Sequence, residues 1–158
     1  MQRTEHPRQM KLAALAAFAF VLTMLAPARV EAACSITTTG VSFGPYDVYD
    51  ASPVDSIGSV RYQCSGSTGT FTISLGTGSS GTFQSRTMVS GAEKLNYNLY
   101  LDAARTSTWG DATAATSWFM ASNATGKPVT LTVFGRIPPG QDVAAGIYTD
   151  TIIVTIQF

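Results

Sequence analysis

The 158-residue chain carries ten Lys+Arg against ten Asp+Glu, one His and two Cys, for a formal net charge of zero. Four of the cations (Arg3, Arg8, Lys11, Arg29) and the sole histidine, His6, fall within residues 1–32, and residues 33–158 hold six basic and eight acidic side chains. From residue 33 onward, then, Ser-His, Cys-His and His-metal schemes are excluded, and six scattered cations make no basic stripe for a phosphate backbone, which excludes nucleic acid as a partner.

The opening segment reads as an export signal. Lys11 precedes a largely apolar run from Leu12 to Leu25, followed by Pro27, Ala28 and Val30-Glu31-Ala32, with small or aliphatic residues where a signal peptidase reads; cleavage is expected after Ala32. A run of that length rises only about 21 Å as a helix, short of the roughly 30 Å hydrocarbon core, so no membrane span is expected after cleavage. Met10-Lys11 offers a second conventional start. The expected organisation is a cleaved signal peptide over residues 1–32 and one domain over residues 33–158.

In that domain Gly, Ser and Thr supply 48 of 126 residues and charged side chains only 14, while Val, Ile, Leu and Phe number 28, enough for one modest core. Thr and aromatic enrichment with Gly/Ser punctuation predicts an all-β fold. In chain order the β-type runs are Ser35–Phe43, Ser59–Cys64, Thr70–Leu75, Leu95–Leu101, Val129–Arg136 and Ile147–Phe158. Breakers such as Gly76-Thr77-Gly78-Ser79-Ser80-Gly81 and Pro138-Pro139-Gly140 separate them, a spacing that suits a sandwich. Strict alternation puts Phe71, Ile73 and Leu75 on one face; Leu95, Tyr97, Leu99, Leu131 and Val133 read likewise. From Tyr148 to Phe158 the even positions Tyr148, Ile152, Val154, Ile156 and Phe158 form an apolar stripe broken by Asp150. Such a strand, last in the chain, either lies inside the sheet by topology or leaves an open edge.

Two cysteines in an exported chain read as one disulfide, Cys34 to Cys64, and closing a loop of about 30 residues stabilises by roughly 3.6 kcal/mol on the chain-entropy model. The rival, a lipid on Cys34, is disfavoured by Glu31 three residues before it and would strand Cys64.

Carboxylates are the residues left for general acid/base work: Asp47, Asp50, Asp55, Glu93, Asp102, Asp111, Asp142 and Asp150. Most sit in turn contexts, where Asp accepts backbone hydrogen bonds, and nothing in the sequence marks two as a glycosidase pair. Asp47-Val48-Tyr49-Asp50 lacks the ligand loop of a calcium site, and no metal or cofactor is expected. Asn123-Ala124-Thr125 matches a glycosylation sequon, relevant in a eukaryotic secretory route. Tyr46, Tyr49, Trp109 and Trp118 are candidates for an exposed adhesive surface, against the plainer alternative of core or turn packing.

The blocks Phe43-Gly44-Pro45-Tyr46-Asp47, Arg61-Tyr62-Gln63-Cys64, Arg86-Thr87-Met88, Leu95-Asn96-Tyr97-Asn98-Leu99-Tyr100, Trp109-Gly110-Asp111, Phe134-Gly135-Arg136-Ile137-Pro138-Pro139-Gly140-Gln141 and Gly146-Ile147-Tyr148-Thr149-Asp150-Thr151 resemble the spore coat protein U family. The resemblance spans Cys34 to Phe158. It implies an immunoglobulin-like antiparallel β-sandwich lacking its last strand, as in subunits of archaic chaperone-usher pili. It further implies a non-enzymatic subunit of a surface fibre or spore or cell coat, with a periplasmic chaperone, an outer-membrane usher and neighbouring subunits as partners. The expected groove has Ile152, Val154, Ile156 and Phe158 on one wall and Ile36, Val41 and Phe43 on the other, and takes a donated strand. One departure is that cleavage after Ala32 leaves no donor extension before Cys34. A tip or coat role, or a tip adhesin or secreted binding module using exposed aromatics, stands beside a shaft role.

Overall fold

The computed structural model describes residues 33–65, 69–122 and 126–158. The expected signal peptide, residues 1–32, and the Asn123-Ala124-Thr125 sequon lie outside them. Among the described residues no helix is long and apolar enough to cross a membrane. The described elements are strands β1 (Ala33–Thr39), β2 (Val54–Ser65), β3 (Thr70–Leu75), β4 (Arg86–Ser90), β5 (Glu93–Tyr100), β6 (Phe119–Ser122), β7 (Val129–Ile137) and β8 (Val154–Gln157), with one 3-10 turn at Gly78–Ser80.

The strands form two antiparallel sheets, one in the order β1-β2-β7-β5-β4 and one in the order β6-β3-β8. This is the all-β, immunoglobulin-like sandwich expected from the sequence. Period-2 alternation selects the inner faces. Val60, Tyr62 and Cys64 of β2, Leu95, Tyr97 and Leu99 of β5, and Val133 and Ile137 of β7 meet Phe71, Ile73 and Leu75 of β3 in a single buried cluster. Tyr62 sets its ring edge-on to Phe71, centroids 5.2 Å apart.

Two segments change layers, and both depart from the expected strands. The run after β1 leaves its partner at Thr39 and passes over the inner face of the larger sheet, where Gly58 and Gly135 make room. A Cβ at Gly58 would lie 2.6 Å from the Thr39 carbonyl oxygen, and one at Gly135 would lie 2.7 Å from Val41 and 2.8 Å from Phe43. Val41 and Phe43 thus belong to the second layer, and the expected strand Ser35–Phe43 ends early. At the other end of the chain, Thr149 exchanges two hydrogen bonds with Val89 of β4 (2.9 and 3.1 Å), while Ile153 accepts from the Gly76 amide next to β3 at 2.8 Å. The expected strand Ile147–Phe158 is therefore split between the sheets.

Strands β4 and β6 are absent from the sequence reading. β4 begins with Arg86, a charge that no strand pattern places in a core, yet Arg86 has no exposed surface. β6 spans four residues, Phe119–Ser122, too few to register as a periodic run. The disulfide joins directly paired positions of β1 and β2, Cys34 opposite Cys64.

Candidate functional site

Between the relocated segment after β1 and the C-terminal segment lies a groove of about 1090 Å³. Residues 38–48 form one wall and residues 143–150 with Ile152 and Val154 the other; Val60, Leu75, Leu95, Leu99, Val133 and Ile137 floor it. An apolar floor follows from the sandwich itself, because inner-face side chains of the core, buried as they are, back the cleft.

The expected wall residues divide. Val41, Phe43, Ile152 and Val154 line the groove. Ile36 does not: it sits in β1 opposite Tyr62, packed on the core within the larger sheet, because the layer change comes only after Thr39. Ile156 packs against the core beyond the lining, opposite Ile73. Phe158 is 59% exposed, its ring 6.4 Å from that of Phe71.

The backbone of the C-terminal wall is as informative as its side chains. Antiparallel pairs alternate between residues that exchange hydrogen bonds and residues that do not. Gly76 and Ile153 are a bonded pair, so in the register Leu75 to Val154 and Ile73 to Ile156, the N–H and C=O groups of Val154 and Ile156 point away from β3. Among the described residues no strand pairs with that edge. The same residues turn their side chains to the core, so apolar surface and unpaired main chain coincide along one line.

Polar groups fix the groove's ends. Tyr46 ties the segment after β1 to the chain just after β7, its hydroxyl donating to the Pro138 carbonyl (3.2 Å) and accepting from the Gln141 amide (2.8 Å). Gln141 in turn serves the main chain of Asn96, with Oε1 accepting from its N–H at 2.8 Å and Nε2 donating to its carbonyl at 2.9 Å. Deeper in, the Tyr97 hydroxyl donates to Asp150 Oδ2 at 2.7 Å. Burial, then that hydrogen bond, holds the phenol proton far above the usual tyrosine range.

Behind the floor, Arg86 joins the sheets. Its guanidinium donates to the carbonyls of Gly76 (2.9 Å) and Trp109 (2.6 Å) and to Asn98 Oδ1 (2.7 Å), and lies over the Phe83 ring. Burial pulls the guanidinium below its ordinary pKa. Nothing in the sequence marks Arg86 and Asn98 as buried polar residues beyond their place in the family-like blocks.

The adhesive candidates also divide. Trp109 is a correction: it has no exposed surface, and its indole N–H donates to the Ile73 carbonyl at 2.9 Å, because the inter-sheet space needs a large apolar body with one donor. Tyr46 is half-buried in its rim contacts. Tyr49 is 93% exposed and Trp118 40% exposed, the latter just before β6.

Four of the acidic side chains are engaged locally. Asp47 accepts from the Tyr49 amide, Asp50 from that of Ser52, Asp102 from those of Thr106 and Ser107, and Asp111 from that of Thr113. The Ser107 amide above all holds Asp102, and the Thr113 hydroxyl, then its amide, hold Asp111, below the usual carboxylate range. Such acids cap turns.

Comparisons with known proteins agree with this architecture. Residues 20–155 match the model of the Spore Coat Protein U domain. Protein U of Myxococcus xanthus is 35% identical over 147 residues, covering 83% of this chain and 80% of Protein U. A solved structure, the CsuC-CsuE chaperone-tip adhesion subunit pre-assembly complex from archaic chaperone-usher Csu pili of Acinetobacter baumannii, is similar with a TM-score of 0.57 and 26% identity. That likeness takes in 82% of this chain, which spans 40% of the length of the matched chain. On the family match and on the sandwich that carries it, this chain belongs to the Spore Coat Protein U domain family.

Proposed function

We propose that this protein is a non-enzymatic structural subunit of a bacterial surface fibre or coat, exported by the segment over residues 1–32 and completed by a strand donated first by a periplasmic chaperone and then by a neighbouring subunit, with an outer-membrane usher as assembly partner. The family match and the likeness to a pilus subunit in complex with its chaperone support a structural pilus or coat role. The observation that carries the strand-donation reading is the coincidence along Val154–Ile156 of inward apolar side chains with outward main-chain groups, beside a cleft floored by the core. An extended segment with alternating apolar residues satisfies both, adding ladder hydrogen bonds and filling the cleft in one step.

The test offers the full exported chain a synthetic peptide alternating valine and threonine, and separately a co-expressed periplasmic chaperone. Uptake of either should raise the unfolding midpoint, and a Val154→Lys chain should take up neither. A monodisperse wild-type chain that neither binds nor gains stability overturns the reading.

A second reading, a tip adhesin, is favoured by one observation. Tyr49 (93% exposed) and Ile147 (85% exposed) lie on the two loops that Tyr46 ties together at the groove's rim. Alanine at both should reduce attachment to a hydrophobic surface without altering strand uptake; unchanged attachment removes this reading.

A further inference from the structure

We propose that Asp150 is the positioning residue of the groove: it pins the point at which the C-terminal segment leaves one sheet for the other, and so aims Ile152, Val154 and Ile156 at an incoming strand. The inference rests on the strand-donation reading above and deepens it.

Asp150 interrupts an otherwise apolar stripe, a costly choice unless its carboxylate is fully used. It is fully used. Oδ1 accepts from the amide and hydroxyl of Ser79 (2.8 and 2.7 Å) and from the Thr151 amide (2.8 Å), while Oδ2 accepts from the Tyr97 hydroxyl (2.7 Å). Those partners stand on different parts of the sandwich: Ser79 on the 3-10 turn between β3 and β4, Tyr97 on β5 in the groove floor. One residue earlier, Thr149 is bonded to β4 of the larger sheet; three residues later, Ile153 is bonded beside β3 of the smaller. The chain crosses between layers in the few residues that Asp150 begins.

The other side of the contact is shaped to receive it. Gly78 has a φ of +65°, and a Cβ there would occupy the place of the Asp150 carboxylate. A crossing segment has no ladder of its own to fix its direction. With four hydrogen bonds to one side chain, the crossing has a single geometry, and the register of everything after it is set there.

The positioning role is separable from general stabilisation. The full exported chain is compared with Asp150→Ala, Asp150→Asn, Gly78→Ala and Tyr97→Phe, with uptake of the alternating valine/threonine peptide and site-resolved amide exchange as readouts. Asp150→Asn keeps an Oδ1 acceptor and lets the Tyr97 hydroxyl turn to accept, so uptake should stay within about threefold of wild type. Asp150→Ala should bind about tenfold or more weakly, the equivalent of losing a charge-assisted bond. Exchange in that variant should rise at Thr149 and Gly76 while β2 and β7 keep their protection. Gly78→Ala, which keeps the Asp150 side chain but pushes its carboxylate out of this position, should reproduce the loss. If Asp150→Ala does not fold, Tyr97→Phe, which removes one hydroxyl, carries the comparison, with a smaller loss and the same local exchange pattern. Wild-type uptake with equal uptake by the alanine or phenylalanine variant, or exchange that rises evenly over all strands, overturns the assignment of Asp150 alone. A wild-type chain that takes up no peptide overturns the groove reading and this inference with it.

Discussion

The indole N–H of Trp109 donates to the carbonyl of Ile73 at 2.9 Å, and neither residue has any exposed surface. The Trp109 amide also donates to the Leu99 carbonyl, and its own carbonyl accepts from Arg86, so one residue is bonded to β3, β5 and β4. Trp109→Ala should cost about 3–5 kcal/mol through the cavity left between the sheets and the loss of the indole bond to Ile73. Urea unfolding of the full chain measures it; a cost below about 1 kcal/mol would mean that Trp109 is not the inter-sheet post described.

Arg86 should be intolerant of substitution in a way that exposes its role. Arg86→Met leaves the Gly76 and Trp109 carbonyls without that donor and takes one of its two donors from Asn98 Oδ1, which keeps the Leu99 amide, at about 2–6 kcal/mol. Arg86→Lys should recover little of this, because one ammonium does not reproduce the planar fork. Recovery to wild-type stability by lysine would show that charge alone matters there.

The disulfide ties β1 to β2 just ahead of the segment that supplies Val41 and Phe43 to the groove. Cys64→Ser, or reduction of the bond, should lower stability by about 2–5 kcal/mol. The same change should weaken peptide uptake, because β1 is the anchor of that wall. Denaturant titrations with and without reductant, paired with the uptake assay, check both.

Asp55 lies between two guanidiniums, 2.7 Å from Arg136 and 3.1 Å from Arg105. The hydrogen bond from Arg136 is the main cause that holds its carboxyl below the ordinary value of 3.8. A depressed folded pKa means that the contribution is complete above the unfolded value and disappears as pH falls through the folded one. The pair is partly exposed, so the effect is at most about 1 kcal/mol. Asp55→Asn should flatten the wild-type loss of stability below about pH 4; an unchanged acid limb contradicts this.

Much of the frame is legible in the sequence because period-2 alternation is a local signal. Thr70–Leu75 coincides with β3, and the runs at Leu95 and Val129 fall on β5 and β7, since Phe71, Ile73, Leu75, Tyr97 and Val133 face inward as alternation demands. The groove is legible in outline from Ile152 and Val154. What alternation does not carry is a change of layer. Nothing local to Val41 says that Gly58 and Gly135, on β2 and β7, will leave room for it, and for that reason the wall implied by the family resemblance includes Ile36, which does not join it. Trp109 and Arg86 are obscure for a related cause: each is placed by carbonyls from other strands, so its burial is a property of the assembled sheets.

At Asn96, β5 has passed beyond its pairing with β7, and the chain after β7 opens with Pro138 and Pro139, which have no amide hydrogen to offer. Gln141 folds back and presents one carboxamide to both main-chain groups of Asn96, so a side chain stands in for a missing stretch of strand. An extended segment from another molecule that arrives there finds the position taken, whereas one arriving at Val154 and Ile156 finds a free ladder. The sandwich thereby treats two of its seams differently: at Asn96 the main chain is sealed from within by a side chain, and along Val154 and Ile156, among the described residues, it is left open.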